Sequence, residues 1–275
     1  MYSLGQCATL ACLWEVTAPK PGNVHRAADF ENLSFLDFVT SAVVIGPIIE
    51  AAQDQPVGKT IFEAVQATRA AVHTNTNLGT ILLLAPLAAV PRDQPLQSGV
   101  KDVLGRLGKA DAQWIYEAIR MAQAGGLGKA EQHDLHGEPP DSILDAMRVA
   151  APRDMIARQY VEDFETVLNV VLPELLTARE RGWSISESII YTQMRLLSRF
   201  PDSLIGRKRG GGVAAQASAM AASVLTAGEP GEENYENALA DFDFWLRSDG
   251  HQRNPGTTAD LIAAGLFVAL RNGEL

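Results

Sequence analysis

The segment APKPGNVHR near the amino terminus combines cations with a backbone that two prolines stiffen. Lys20 supplies a point charge and Arg26 a planar guanidinium, while Gly22 allows a ligand to approach the backbone closely. Asn23 and His25 add further hydrogen-bonding groups. These residue types are what a phosphate-binding loop needs, although a solvated connector between two helices would have the same composition.

A second polar segment, HTNTNLGT, stands immediately before an apolar helical pattern. Asn75 and Asn77 precede that helix, and Gly79 and Thr80 fall in its first turn. The unpaired N–H groups at such a helix start are a favourable place for an anion. Helix capping explains one or two of these polar residues but not all of them, so the segment indicates a binding function.

The segment DSLIGRKRGGG sets three cations beside three consecutive glycines. Arg207, Arg209 and Gly210 are therefore expected in an electropositive loop ahead of an alanine-rich helix, which describes an anion site in outline. The segment does not match the P-loop pattern of nucleotide-binding proteins, and a flexible surface linker is the alternative interpretation.

Four carboxylates close to these segments are candidates for metal or proton chemistry. Glu15 and Glu50 each lie near the end of a helical pattern, where a negative charge opposes the helix dipole unless a cation offsets it. Asp202 opens the basic segment, where it would bind Mg²⁺, cap a helix or pair with an arginine. In NPGTTADLIAAGLF, Thr257 is a candidate cap, and Asp260 faces either the helix dipole or a metal-bound phosphate.

Composition excludes several kinds of partner. The formal charge of −10 disfavours a nucleic-acid backbone or an anionic membrane, so an anion site must concentrate cations locally. Cys7 and Cys12 match no zinc spacing, and HDLH at 133–136 lies in a polar loop without a third well-spaced ligand. No signal peptide or stretch long enough to span a membrane is evident, so we expect a cytoplasmic protein.

The elements that must position these residues are helices. Helical periodicity recurs along the chain and no run alternates as a strand does, which predicts an all-α fold of about eleven helices in a single domain over 1–275. A long helix is expected over 153–181 with a kink at Pro173. The four polar segments fall at helix junctions and could converge on one side of the bundle. Further helix starts are expected at Ser34, Thr60, Asp141 and Ser184.

Four segments together resemble one known family. EVTAPKPGNVHR, HTNTNLGTILLLAPL, DSLIGRKRGG and NPGTTADLIAAGLF are similar, in order and rough spacing, to motifs of the triphosphoribosyl-dephospho-CoA synthases, over about Glu15 to Phe267. Those enzymes serve citrate lyase and malonate decarboxylase and are all-α. They transfer the triphosphoribosyl part of ATP to the 2′-hydroxyl of 3′-dephospho-CoA and release adenine.

The resemblance implies ATP as substrate, Mg²⁺, and an acceptor of the CoA type. It also implies phosphate contacts by Lys20, Arg26 and either Arg207 or Arg209. This chain departs from the citrate-lyase type at Asn77-Leu78, where those members usually have His-Lys, so one cation of the expected triphosphate site is replaced. Shorter relatives associated with tetrahydromethanopterin-dependent one-carbon metabolism would imply a different acceptor.

The expected reaction is displacement at the anomeric carbon of the ATP ribose, through a transition state with positive charge that carboxylates would stabilise. A different phosphate-substrate enzyme of cofactor biosynthesis and a non-catalytic nucleotide-binding helical protein are the alternatives, and a homodimer is plausible. The expected catalytic residues are Glu15, His25 (protonating adenine), Glu50 and Asp260, and the expected metal ligands are Glu50, Asp202 and Asp260. The expected nucleotide-binding residues are Lys20, Gly22, Asn23, Arg26, Asn75, Asn77, Gly79, Thr80, Arg207, Arg209, Gly210 and Thr257.

Overall fold

The computed structural model describes residues 1–123 and 137–275, and within these ranges the chain is helical, with isolated β-bridges but no strand. The all-α prediction is therefore confirmed. The HDLH segment at 133–136, interpreted above as a loop, lies outside the described ranges. No described helix is long and apolar enough to cross a lipid bilayer.

The described residues form fourteen α-helices and one π-helical turn, more than the eleven helices expected. The helices are α1 (Leu4–Thr17), α2 (Phe35–Glu50), α3 (Val57–Val72), α4 (Leu78–Ala89), α5 (Leu96–Gly105), α6 (Lys109–Ala122), α7 (Ile143–Ala150), α8 (Met155–Val161), α9 (Leu172–Glu180), α10 (Ile185–Arg199), α11 (Ser203–Arg209), α12 (Gly211–Ala227), α13 (Glu233–Arg247) and α14 (Gly256–Asn272), and the π-turn is Val167–Val171.

Two regions account for the larger number. The helix expected over 153–181 is interrupted, because Asp163 and Phe164 adopt left-handed backbone angles (φ 50° and 63°) after α8, and Pro173 stands in the first turn of α9 rather than at a kink. The basic segment expected as a loop contains α11, which the Asp202 carboxylate caps at Leu204 and Ile205.

Capping explains where several helices begin. Ser34 and Ser184 begin α2 and α10, as predicted, and both form capping boxes, of which only the one at Ser184 was expected. Thr60 is not a cap, because α3 already begins at Val57, and the helix expected to start from Asp141 has Ser142 at its N-cap position. Capping residues read from sequence therefore located two of these four helix starts.

The main core forms around α4 and α14. Ten of the twelve residues of α4 are buried, and α14 packs against α4, α1 and the π-turn. A second, smaller core joins α10, α11, α12 and α13. Both α4 and α14 are apolar along most of their length, so the polar residues near them lie at or just before their first turns. The cavity described next lies beside these helix starts.

Candidate active site

One cavity of about 770 Å³ receives residues from all four polar junctions. The predicted convergence is therefore found: the walls include the end of α1, the loop before α4, part of α11 and the start of α14. Its polar wall includes Glu15, Asn23, Asn75, Asn77, Gly79, Thr80, Arg207, Lys208, Asn254, Thr257 and Asp260.

Asp260 joins the first turns of α4 and α14. Its Oδ1 accepts a hydrogen bond of 2.6 Å from the Thr80 hydroxyl. Gly79 leaves room for it, since a Cβ atom there would lie 2.1 Å from Oδ2 of Asp260. Burial raises the pKa of Asp260 to about 7, and the negative charge of Glu15 adds to the rise while the bond from Thr80 opposes it. This carboxyl can therefore exchange a proton near neutral pH.

Glu15 is the second carboxylate of the cavity wall, and its partner is Lys20. The Glu15 carboxylate lies 2.8 Å from the Lys20 ammonium, which is fully buried and lies outside the cavity lining. The ammonium also donates to the carbonyl oxygens of Glu15 and Ala18. Lys20, expected to contact phosphate directly, is thus placed behind the wall, where it holds Glu15.

Amides and hydroxyls fix the rest of the polar wall. The Asn23 side chain donates to Oδ1 of Asn254 at 2.7 Å and accepts from Gln193 at 2.8 Å. The Thr257 hydroxyl accepts from Ser203 at 3.0 Å. These bonds tie the loops of the wall to α10, α11 and α14.

Asn75 and Asn77 differ in how they meet the cavity. Asn75 accepts the N–H of Leu78 at 3.1 Å and so caps α4. Asn77 is buried, and its amide nitrogen has no hydrogen-bond partner among the described residues. Because an unpaired buried donor is unfavourable, this amide is available to reorient toward a ligand acceptor.

The cations of the cavity wall are not the ones that the sequence indicated most strongly. Arg207 lines the cavity but its guanidinium is paired with Asp154 at 2.5 Å. Lys208, which sequence reasoning passed over, lines the cavity and has no carboxylate partner in the described part of the chain; burial lowers its pKa. In the sequence, only its position between Arg207 and Arg209 marks Lys208 as a candidate. Which of the three cations faces the cavity depends on the turn of α11, which residue types do not reveal.

Two of the predicted carboxylates lie away from the cavity. Glu50 is exposed and accepts hydrogen bonds from the hydroxyl of Ser3 and the N–H of Gly5, both at 2.5 Å, so it caps α1. Asp202 is buried outside the lining, and its oxygens accept from α11 and from the N–H and hydroxyl of Thr258. Neither carboxylate has the placement that the predicted catalytic and metal roles need.

Five other predicted residues are also absent from the cavity lining. Burial, with help from the charge of Arg247, lowers the pKa of His25, which favours the uncharged imidazole at neutral pH. His25 follows Val24, which lines the cavity, but is not itself part of the lining. Gly22 (φ 74°) packs between Leu246 and Pro255 and donates to Asp243. The remaining three are Arg26 and Gly210, both exposed, and Arg209, which pairs with Asp249 at 2.9 Å.

A protein-held Mg²⁺ cage does not fit these donors. Within residues 1–123 and 137–275, no three acidic, histidine or cysteine side chains gather as a metal site. Three carboxylates of the wall are already engaged, Glu15 by Lys20, Asp154 by Arg207 and Asp260 by Thr80, and the fourth, Glu31, is exposed. The donor set therefore differs from the metal ligands expected from sequence.

Part of the cavity lining is apolar. This part comes from α6, α7 and α8 and includes Ile119, Ile143, Met147 and Ile156. The cavity therefore offers polar lining suited to phosphate, ribose and proton transfer, and apolar lining suited to an uncharged chain or ring.

Two comparisons with known proteins point to one family. The model of a family described as CitG, ATP:dephospho-CoA triphosphoribosyl transferase, matches residues 1–275. A solved structure from Archaeoglobus fulgidus, with the provisional description triphosphoribosyl-dephospho-CoA synthase, is similar at a TM-score of 0.65 and 25% identity, covering 85% of this chain and 98% of that one. A search of curated proteins finds no match.

Proposed function

Since the chain belongs to the ATP:dephospho-CoA triphosphoribosyl transferase family, we propose that the cavity transfers the triphosphoribosyl group of ATP to a hydroxyl of dephospho-CoA and releases adenine. The observation that carries this proposal is the meeting of all four polar junctions, with Glu15 and Asp260, in one cavity. A purely structural helical bundle has no need to bring these groups together.

The reaction exchanges one bond for another at the anomeric carbon of the ribose. The bond from that carbon to the adenine nitrogen breaks, the electron pair leaves with adenine, and a bond to the acceptor oxygen forms. The acceptor hydroxyl loses a proton and adenine gains one. The ribose carries positive charge between these events, so nearby negative charge lowers the barrier.

Asp260 and Glu15 have different parts in this scheme. Asp260 takes the proton of the acceptor hydroxyl, because its pKa of about 7 makes it a competent base near neutral pH. Glu15 stabilises the charged ribose by electrostatic attraction, since Lys20 holds its carboxylate at the wall.

Lys208 binds phosphate. It lines the cavity without a carboxylate partner in the described ranges, as Arg69 and Arg153 also do, and of these three it alone comes from the basic segment 202–212. Mg²⁺, if required, would be held chiefly by substrate phosphates and water, since the described side chains offer no cage for it, and it would neutralise part of the triphosphate charge. The apolar lining from α6, α7 and α8 accommodates the uncharged arm of dephospho-CoA. Binding of the metal and of the acceptor arm thus relies little on dedicated polar side chains of the protein.

The experiment is incubation of the protein with ATP, Mg²⁺ and dephospho-CoA, with separation of the nucleotide products. Adenine formed in step with a triphosphoribosylated acceptor is the expected result, and Asp260→Asn should abolish it. ADP or AMP in place of adenine would contradict the proposal. Saturable ATP binding without any product would instead favour a nucleotide-binding protein.

The acceptor is tested in the same assay. Asn77-Leu78 replaces the His-Lys pair usual in the citrate-lyase type, and Asn77 lies on the cavity wall. Adenine release that requires dephospho-CoA identifies that acceptor. Adenine release that proceeds equally well with another hydroxyl compound, and not with dephospho-CoA, would retain the transfer but assign a different acceptor.

A further inference from the structure

Lys20 is a fully buried lysine whose ammonium is saturated by one short stretch of chain. It donates to the main-chain oxygens of Glu15 and Ala18, and it lies 2.8 Å from Oε1 of Glu15. An ammonium has three protons, and these three oxygens account for all of them. Burial of a charge is unfavourable unless it is paired in this way, so the contact with Glu15 is a built feature of the loop.

Glu15 needs such a partner. It lies in the last turn of α1, where the helix dipole opposes a negative charge. It also shares the cavity wall with Asp260, and its charge acts on that carboxyl. A cation behind the wall offsets both unfavourable interactions without occupying space that a substrate would need.

The loop that carries Lys20 is fixed from several sides. Pro19 and Pro21 restrict its backbone, and the carbonyl oxygen of Pro21 accepts from Gln193 on α10 at 3.1 Å. Gly22 donates to Asp243 on α13 at 2.7 Å. The ammonium therefore has a fixed position relative to the bundle. The ion pair in turn fixes the position of the Glu15 carboxylate.

We propose that Lys20 is a positioning residue, whose buried ammonium fixes the Glu15 carboxylate at the cavity wall and leaves the substrate phosphates to other cations. The role of Glu15 in this statement rests on the proposed function. The contrary assignment, direct contact of Lys20 with phosphate, requires the ammonium to leave three oxygens and pass through the wall.

The test compares Lys20→Met, Glu15→Gln and the double variant, with Lys59→Met as a control, since Lys59 pairs with Glu63 on the exposed face of α3. The ATP dissociation constant is measured by calorimetry, kcat by adenine release, and Tm by thermal unfolding. We expect Lys20→Met and Glu15→Gln each to lower kcat by about 100-fold, the size of a lost electrostatic stabiliser. Their ATP dissociation constants should stay within about threefold of wild type, because neither variant removes a phosphate contact.

The double variant separates positioning from a simple structural role. Removing Lys20 from Glu15→Gln should lower kcat no further, because the group that Lys20 positions is already gone. Its Tm should exceed that of Glu15→Gln, which leaves a buried ammonium unpaired. This arm also remains usable when Lys20→Met alone folds poorly.

Three results would overturn the proposal: an ATP dissociation constant at least tenfold weaker in Lys20→Met, an unchanged kcat in Lys20→Met, or multiplicative losses in the double variant. If the wild-type protein releases no adenine, the proposed function fails by itself. Crystal structures then decide the positioning role, since Glu15 should leave the cavity wall in Lys20→Met and stay there in Lys59→Met. Glu15 unmoved in Lys20→Met would refute it.

Discussion

The hydroxyl of Thr80 donates a hydrogen bond of 2.6 Å to Oδ1 of Asp260, across 180 residues of sequence. This bond links the first turn of α4 to that of α14. It also favours the charged form of Asp260, whose pKa burial raises to about 7. The bond therefore contributes to both the fold and the chemistry of the site.

Replacement of Thr80 by valine removes that bond while keeping the shape of the side chain. Because the bond lowers the pKa of Asp260, its loss should raise the pKa and shift the acidic limb of kcat/KM to higher pH. Stability should fall by about 1 to 3 kcal/mol, measured by urea unfolding. Thr68→Val is the matched control: Thr68 is buried and its hydroxyl has no partner in the described part of the chain, so no loss is expected.

The wild-type pH profile follows from the same carboxyl. Asp260 must be deprotonated to act as a base, so kcat/KM should rise between about pH 6 and pH 8. Asp260→Asn should abolish that rise together with the activity. A profile that is flat over this range in an active enzyme would contradict the assignment of Asp260 as the base.

Folding stability should respond to Asp260 in the opposite direction. A carboxyl whose pKa is raised by folding binds its proton more tightly in the native state, so the native state loses stability as pH rises from about 4 to about 7. Asp260→Asn removes this loss. The variant should therefore be more stable than wild type at pH 8, and their unfolding free energies should approach each other near pH 4.

Gly79 has to remain a glycine for Asp260 to occupy its position. A Cβ atom at Gly79 would lie 2.1 Å from Oδ2 of Asp260, so Gly79→Ala should displace the carboxylate, lower kcat and cost about 1 to 3 kcal/mol of stability. Gly105→Ala in α5 is the control, because a Cβ there meets nothing within 4 Å. An active, equally stable Gly79→Ala variant would disprove the close approach.

Lys208 and Arg209 allow a direct comparison of neighbouring cations. Lys208→Ala should raise KM for ATP roughly tenfold, about the worth of one charge-assisted hydrogen bond, and the difference should shrink at high salt. Arg209→Ala should leave KM within about twofold of wild type, because the guanidinium pairs with Asp249 outside the cavity. A larger rise in KM for Arg209→Ala than for Lys208→Ala would instead support Arg209 as the phosphate-binding cation, as the sequence predicted.

Glu50 should matter for stability alone. Glu50→Gln weakens the bonds to Ser3 and Gly5 that cap α1, which should cost about 1 kcal/mol. Those bonds lower the pKa of Glu50, so its contribution is present at neutral pH and is lost as pH falls through its folded-state pKa. Activity per folded molecule should be unchanged, and a Mg²⁺-dependent loss of activity would contradict this role.

Sequence reasoning reached the fold class and the meeting of the four junctions, because both depend on signals that are strong locally. Polar residues at the start of a buried apolar helix have few places to lie other than a cavity or the protein surface. The sequence therefore predicted cavity positions for Asn77, Gly79, Thr80 and Asp260. The inward-facing cation could not be placed. Whether Lys208 or Arg209 meets the cavity depends on the start of a seven-residue helix inside a segment that looks like a flexible loop.

The carboxylates show a second limit. Glu50 and Glu15 carry the same local signal, a negative charge at the end of a helix. In the structure one is offset by the amino-terminal end of α1 and the other by Lys20. Only the packing of distant elements distinguishes the two glutamates. Residue type and spacing alone therefore predicted a catalytic role for both.

The burial of α4 along nearly its whole length has a consequence for how this protein can diversify. The polar wall of the cavity is anchored to a helix that is buried along nearly its whole length in the main core, so substitutions that reshape this wall should destabilise the fold. The rim loops, which carry Glu31, Asn32 and Gln252, bear no such constraint. We therefore expect acceptor preference to change more readily through these exposed residues than through the polar wall.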